Sequence, residues 1–217
     1  MSKRESLVAQ LESLMLEKKL KKAEVDFYLF LIEFVKTQDE HDSESPIKRI
    51  PKKEYIKELA HKFQTEDKLL IEKSRQMMVT WISCAYALWF TMFNEGKRTF
   101  MQSKKEADAN ANLDRIKLIY RYLPDEIKEK YPADNPMPYC KLTWKKRNSS
   151  IQAIPQGPDI LRQYTSSLII SDEMAFQEKS EEAYMSAKPT LSGGGRFIGI
   201  SSPNFKEFFY RGVSDTI

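Results

Sequence analysis

At 217 residues, 41% of them hydrophobic and 12% aromatic, the chain is long enough to bury a core and too apolar to stay disordered. Its net charge of +4, from 35 basic and 31 acidic residues, permits contact with nucleic acid without demanding it, because most basic residues are balanced locally. Two histidines and two scattered cysteines exclude the usual zinc sites, no apolar run reaches the ~18 residues of a membrane span, and Met1 to Glu5 leads into a charged helix rather than a signal peptide, which fits a reducing cytosol.

Residues 2 to 38 are predicted helical, with Leu7, Leu11 and Leu14 on one face and Val25, Leu29 and Ile32 on another. Two packed helices or a helical hairpin account for this pattern; a partner-binding or lid element is the alternative. The polar, acidic stretch from Thr37 to Pro46 reads as a linker, Lys48 to Lys53 is basic, and Lys52 to Phe63 fits a short helix.

Leu69-Leu70-Ile71-Glu72 then reads as a short strand. It runs through the polar turn Lys73-Ser74-Arg75-Gln76-Met77-Met78-Val79-Thr80 into an apolar helix from Trp81 to Phe93. Strand, polar turn and helix make the geometry of a phosphate-binding loop. The usual pattern G-x-x-x-x-G-K-S/T is not met: Lys73 and Met78 stand at the glycine positions, Val79 at the lysine position, and only Thr80 keeps its type. Non-glycine residues here resist the positive φ such turns use.

Gly96 is the expected C-cap of that helix. Lys97 to Gln102 is a strand, and Ser103 is the expected cap of a helix reaching Tyr122. Pro124, Pro132, Pro136 and Pro138 break up an irregular insertion. Lys141 to Trp144 and Ser150 to Ile154 pair as a hairpin across Lys145 to Ser149, whose tip, Lys145-Lys146-Arg147, is a candidate for phosphate-backbone contact as well as an ordinary solvated turn.

Residues 155 to 166 form a loop before Ser167-Leu168-Ile169-Ile170-Ser171-Asp172-Glu173, an apolar strand ending in two carboxylates. A buried strand delivering such a pair to its C-terminal end is one way to hold Mg²⁺ and polarise water; a core strand with a solvated acidic turn is the bland alternative. Glu178 to Lys188 is helical, Gly193 to Gly195 a flexible turn, and Arg196 to Ile200 a strand ending in Ser201-Ser202-Pro203-Asn204. Strands alternating with helices imply an α/β fold: a mostly parallel sheet with helices on both faces. Its ligands belong at the carboxyl ends of the strands.

Three strands thus end in polar clusters, and with them the chain resembles the ATPase domain of the large terminase subunit, the DNA-packaging motor of tailed bacteriophages. The resemblance rests on Ser74-Arg75-Gln76-Met77 with Thr80, on Leu168 to Phe176, and on Ile200 to Asn204, and it covers roughly residues 50 to 217. It implies a P-loop NTPase fold of the ASCE type over residues 46–217, with an N-terminal helical appendage over 1–45. It also implies ATP hydrolysis with Mg²⁺ that drives double-stranded DNA into a procapsid.

Residue by residue, the resemblance assigns Ser74 to Val79 to the phosphate cradle, and Thr80 and Asp172 to the metal. It gives Glu173 the lytic water, and Ser201, Ser202 and Pro203 the coupling of hydrolysis to motion. Some members carry the loop lysine at its front, where Lys73 stands, with Arg75 as a second candidate. Arg162 matches an arginine acting in trans on a neighbour's nucleotide, and Phe63-Gln64 the position where the base stacks and bonds. The implied partners are double-stranded DNA, the portal protein and the small terminase subunit. The implied assembly is a homo-oligomeric ring on the portal, from a monomer in isolation, in the host cytoplasm and away from any membrane.

Full members add an RNase H-like nuclease domain. This sequence stops at Ile217 without a further acidic cluster, so cleavage is not expected of it and it reads as a truncated chain. A helicase-like translocase and a degenerate nucleotide fold serving as a non-catalytic DNA-binding or assembly scaffold are the rival readings.

Overall fold

A computed structural model describes residues 3–74, 76–157 and 165–203 of the chain. Its first helices, α1 (Lys3–Ala23) and α2 (Phe27–Glu33), are split at a turn where Asp26 caps α2, its Oδ1 accepting from the Leu29 N–H at 3.0 Å. Such a cap contributes about 1 kcal/mol. Phe27, Phe30 and Leu31 of α2 are fully buried. The face predicted on α1 is not: Leu7, Leu11 and Leu14 are 58%, 52% and 61% exposed, while Leu20 and Ala23 at the far end of the helix are buried in the core and Leu16 packs against it.

The expected linker is closed at its two ends by a small ladder, in which β1 (Lys36–Gln38) pairs antiparallel with β2 (Ile47–Arg49). The Lys48 ammonium lies 2.7 Å from Asp39 and 3.0 Å from Asp42 across it. Polar strands this short show no alternation of apolar residues, so pattern reading passes over them.

The chain continues through α3 (Glu54–Thr65), β3 (Lys68–Glu72), α4 (Val79–Phe93), β4 (Arg98–Gln102) and α5 (Glu106–Arg121). Two caps fall elsewhere than expected. α4 ends on Asn94, with Gly96 (φ +68°) in the turn beyond it. α5 starts from Lys105 without a side-chain cap, so Ser103 does not cap it. Within the stretch expected to be irregular, Pro124 opens a short α6 (Asp125–Lys130), a place where its fixed φ and missing N–H cost little. Then come β5 (Lys141–Trp144), β6 (Ser149–Ile154), β7 (Leu168–Ser171), α7 (Ser180–Ser192) and β8 (Arg196–Ser201).

The described strands β3 to β8 make one six-stranded sheet in the order β3-β8-β7-β4-β6-β5, parallel throughout except for β5 at one edge. Helices cover both faces. On β7, Leu168 and Ile170 join the larger core with α2, α3, α4 and α5, while Ile169 turns to the smaller core under Ala183 and Ala187 of α7. This is the doubly covered, mostly parallel α/β sheet that the alternation of strands and helices implied.

One glycine is needed for close approach. A Cβ on Gly199, in the middle of β8, would stand 2.6 Å from both Leu70 Cδ2 and Met174 Sδ. Its absence leaves room for the Leu70 and Met174 side chains to pack directly on β8.

Candidate functional site

The order β3-β8-β7 places three strand ends side by side at one edge of the sheet. Backbone and hydroxyl bonds tie them. The Lys73 N–H donates to the Ser201 carbonyl at 2.9 Å, and the Ala175 N–H donates to Ser201 Oγ at 3.1 Å. The Ser202 hydroxyl donates to Glu173 Oε2 at 3.2 Å; Pro203 follows, exposed.

Between these ends, Lys73 Nζ donates to Glu173 Oε1 at 3.3 Å, and the Thr80 hydroxyl donates to Asp172 Oδ2 at 3.4 Å. A cavity of about 300 Å³ opens here, lined by Lys73, the loop from Gln76 to Trp81, Arg115, Asp172 and Glu173.

The loop takes the conformation its sequence resists. Gln76 and Met78 sit at φ 65° and 56°, and Glu173 at 51°; Asn148 is the other described non-glycine residue at positive φ. Each such residue costs of order 1–3 kcal/mol, and strain of this kind gathers at functional sites. Met78 is the backbone N-cap of α4, without a side-chain bond. The first N–H groups of α4 therefore point at the cavity with no partner inside the helix, a place for an anion. Val79 is 4% exposed and packs into the core, so the usual lysine position carries no cation here.

Asp172 is 6% exposed. Burial raises its pKa above the ordinary 3.8, the Asn112 amide and the Lys73 ammonium pull it down in part, and Glu173 adds to the rise. A carboxyl with a raised folded pKa contributes its full stability below the unfolded value, and that contribution is lost as pH climbs through the folded value. At neutral pH the ionised group therefore weighs on the empty fold. Asp172→Asn is expected to raise the thermal midpoint at neutral pH, with the gain shrinking as pH falls toward 3.8 and gone below it, and to abolish metal-dependent nucleotide binding. Thermal unfolding with and without Mg²⁺ and nucleotide checks both halves.

Among the described residues, no cluster of three or more His, Cys, Asp or Glu could cage a metal ion. The donors present fit a metal that keeps its waters: Mg²⁺ takes one or two protein oxygens and completes its shell with water and phosphate. The Thr80 hydroxyl and Asp172 carboxylate at the head of α4 are such a pair.

Gln64 does not join this site. Its Oε1 accepts from the Phe27 N–H at 3.1 Å and its Nε2 donates to the Val25 carbonyl at 2.7 Å, so it staples α3 to α2. The opening that flanks the loop is instead a cleft of about 180 Å³, lined by Tyr55, Glu58, Leu59 and Lys62 of α3 with Ile71, Met77 and Val79. Arg75 and Arg162 lie outside the described residues.

Arg147, at the hairpin tip read as either a phosphate contact or an ordinary turn, is tied into the fold. Its guanidinium donates to the Phe93 carbonyl at 3.2 Å, pairs with Glu95 at 3.3 Å and covers the Tyr131 ring, at the opposite end of the strands from the cavity. Lys145 and Lys146 stay exposed.

Two further residues of the site, Asn112 and Arg115, stand on α5. Arg115 lines the cavity, and Asn112 donates to Asp172 Oδ2 at 3.1 Å. No motif marks them, since only the packing of α5 on the sheet brings them to the acid pair.

No protein-family model matches the chain. Among solved structures it is similar to a mutant form of the large terminase ATPase domain of Thermus phage P74-26, with TM-score 0.57 and 19% identity over 70% of this chain and 66% of that one. The HK97 bacteriophage large terminase aligns with TM-score 0.65 and 11% identity over 89% of this chain and 40% of that one. The UvsW helicase of bacteriophage T4 aligns with TM-score 0.54 and 13% identity over 87% of this chain and 64% of that one. The chain thus has the fold of large terminase ATPase domains, a fold it shares with this helicase, and it spans less than two thirds of each of these proteins. No helix among the described residues is long and apolar enough to cross a membrane.

Proposed function

We propose that this chain is an ATP-hydrolysing motor domain of the large terminase kind, acting on double-stranded DNA. The observation that carries the reading is the meeting of Lys73, Thr80, Asp172 and Glu173 on one cavity at the N-terminus of α4. The loop from Ser74 to Val79 cradles the phosphates with backbone N–H groups, Lys73 neutralises them from the front of the loop, and the base enters the cleft beside Tyr55 and Leu59. Thr80 and Asp172 hold Mg²⁺. When bound, the metal neutralises charge that builds on the phosphates.

Glu173 orients the attacking water and accepts its proton. In the empty site its carboxylate is held by Lys73 and Ser202. Phosphates that draw Lys73 away release Oε1 for the water, so substrate arrival itself arms the base. Ser202 keeps its hold on Oε2 and feels the change, which suits Ser201, Ser202 and Pro203 to coupling. Arg162, ten residues before Asp172 in the sequence, is the candidate for stabilising the transition state in a neighbouring subunit.

The wider setting we propose, which the terminase likeness of the fold supports, is a homo-oligomeric ring at the portal, met by the small terminase subunit in the host cytoplasm. The likeness to a helicase favours one rival, a translocase that separates strands.

The test is Mg²⁺-dependent phosphate release by the purified chain, measured with and without duplex DNA, beside triplex displacement as a readout of duplex tracking and an unwinding assay. Hydrolysis stimulated by duplex, with triplex displaced and strands left paired, supports the motor reading. Unwinding favours the helicase-like rival, and nucleotide binding without turnover favours the scaffold.

A further inference from the structure

Arg115 is a cation of the cavity that neither the loop nor the acid pair accounts for. Its Nη1 donates to Asn112 Oδ1 at 2.7 Å, and its guanidinium lies over the Trp81 ring at 5.8 Å from the centroid. No carboxylate among the described residues lies within ion-pair distance of it. A guanidinium carries five N–H donors, so most of them remain for whatever enters the cavity. Trp81, under the guanidinium, belongs to the first turn of α4, whose own N–H groups await an anion at the same place.

Asn112 is 2% exposed, and its two bonds fix its orientation. Arginine only donates, so the atom facing Arg115 is the amide oxygen, and the NH₂ group must face Asp172. The acid pair is therefore served by two cations. Lys73 acts on Glu173 directly, and Arg115 acts on Asp172 through Asn112.

We propose that Arg115 is a phosphate-binding residue of its own subunit's site, which takes the phosphate chain of the nucleotide with its free N–H groups and, through Asn112, ties that occupancy to the aim of Asp172. The planar fork suits phosphate oxygens, and the charge is uncompensated until an anion arrives. This inference rests on the nucleotide reading above and adds a binding residue to it. A guanidinium that only packs on Trp81 would matter equally to every ligand; one that grips phosphate would matter only to ligands that carry phosphate.

The test is calorimetric binding of ATP, ADP and adenosine with Mg²⁺ to wild type, Arg115→Gln and Arg115→Lys, with tryptophan emission as the second readout and Trp81→Phe as its control. Arg115→Gln is expected to weaken ATP and ADP by about 10–100-fold, the weight of a charge-assisted contact, and to leave adenosine unchanged, with Arg115→Lys in between. ATP but not adenosine should change Trp81 emission in wild type, as the guanidinium leaves the ring, and this response should vanish in Arg115→Gln.

Equal losses for ATP and adenosine, or undiminished ATP binding by Arg115→Gln, overturn the inference while leaving the nucleotide reading in place. A wild type that binds no nucleotide overturns both. Should Arg115→Gln not fold, Arg115→Lys and the wild-type emission response decide the matter alone.

Discussion

Replacing Glu173 with Gln is expected to leave nucleotide and Mg²⁺ binding intact and to slow hydrolysis by at least ~10²-fold, the usual weight of a positioned general base. The substitution keeps the shape of the side chain and leaves an oxygen for the Ser202 hydroxyl, but it removes the charge that pairs with Lys73 and the capacity to take a proton. The positive φ of Glu173 holds it at the mouth of the cavity, 37% exposed, while its neighbour Asp172 points inward to Thr80 and Asn112. Two adjacent carboxylates thus occupy different environments, the arrangement that separates a metal ligand from a base. Phosphate release at saturating ATP, beside a binding isotherm, measures both parts. Turnover near that of wild type would remove Glu173 from the chemistry.

Lys73→Ala is expected to weaken ATP binding by roughly 10²-fold, from the loss of a charge-assisted contact in a sheltered site. Val79→Ala is expected to leave the affinity of the folded protein unchanged. The contrast discriminates because Val79 holds the usual lysine position yet is buried in the core, whereas the Lys73 side chain is 12% exposed and reaches the cavity from the front of the loop. Val79→Ala should instead lower stability, by about 1 kcal/mol or more for a buried methyl pair. Titration of both variants, with unfolding curves alongside, separates affinity from stability. Equal ATP affinity in the two would mean that the cation comes from elsewhere in the site.

The strand ends were legible because the physics that buries a strand also marks it. Leu69 to Glu72, Leu168 to Ser171 and Arg196 to Ile200 are apolar runs that stop abruptly at polar residues. Alternating with helices, they could only make a parallel sheet with those stops along one edge. That reasoning places Lys73, Thr80, Asp172 and Glu173 together, as the structure does.

What escaped depends on contacts far apart in sequence. Asn112 and Arg115 stand in the middle of α5, where a polar residue reads as solvent-facing until the helix is docked. Gln64, next to Phe63 before β3, had the right place along the chain for a base contact, but the start of α2 and the turn before it take both ends of its amide. The face of Leu7, Leu11 and Leu14 has the helical period of a core stripe and yet lies exposed. Periodicity reports an apolar face without saying what covers it.

If the loop after β3 and the acid pair after β7 form one nucleotide site, amide hydrogen exchange with and without ATP and Mg²⁺ will show it. Slowed exchange is expected in 74–81, at the head of α4, and at 172–173 and 201–202. The protection should be lost without Mg²⁺ and should need roughly 10²-fold more ATP in Lys73→Ala. Saturating ATP that leaves these amides unchanged, or protects a different part of the sheet, would contradict that single site.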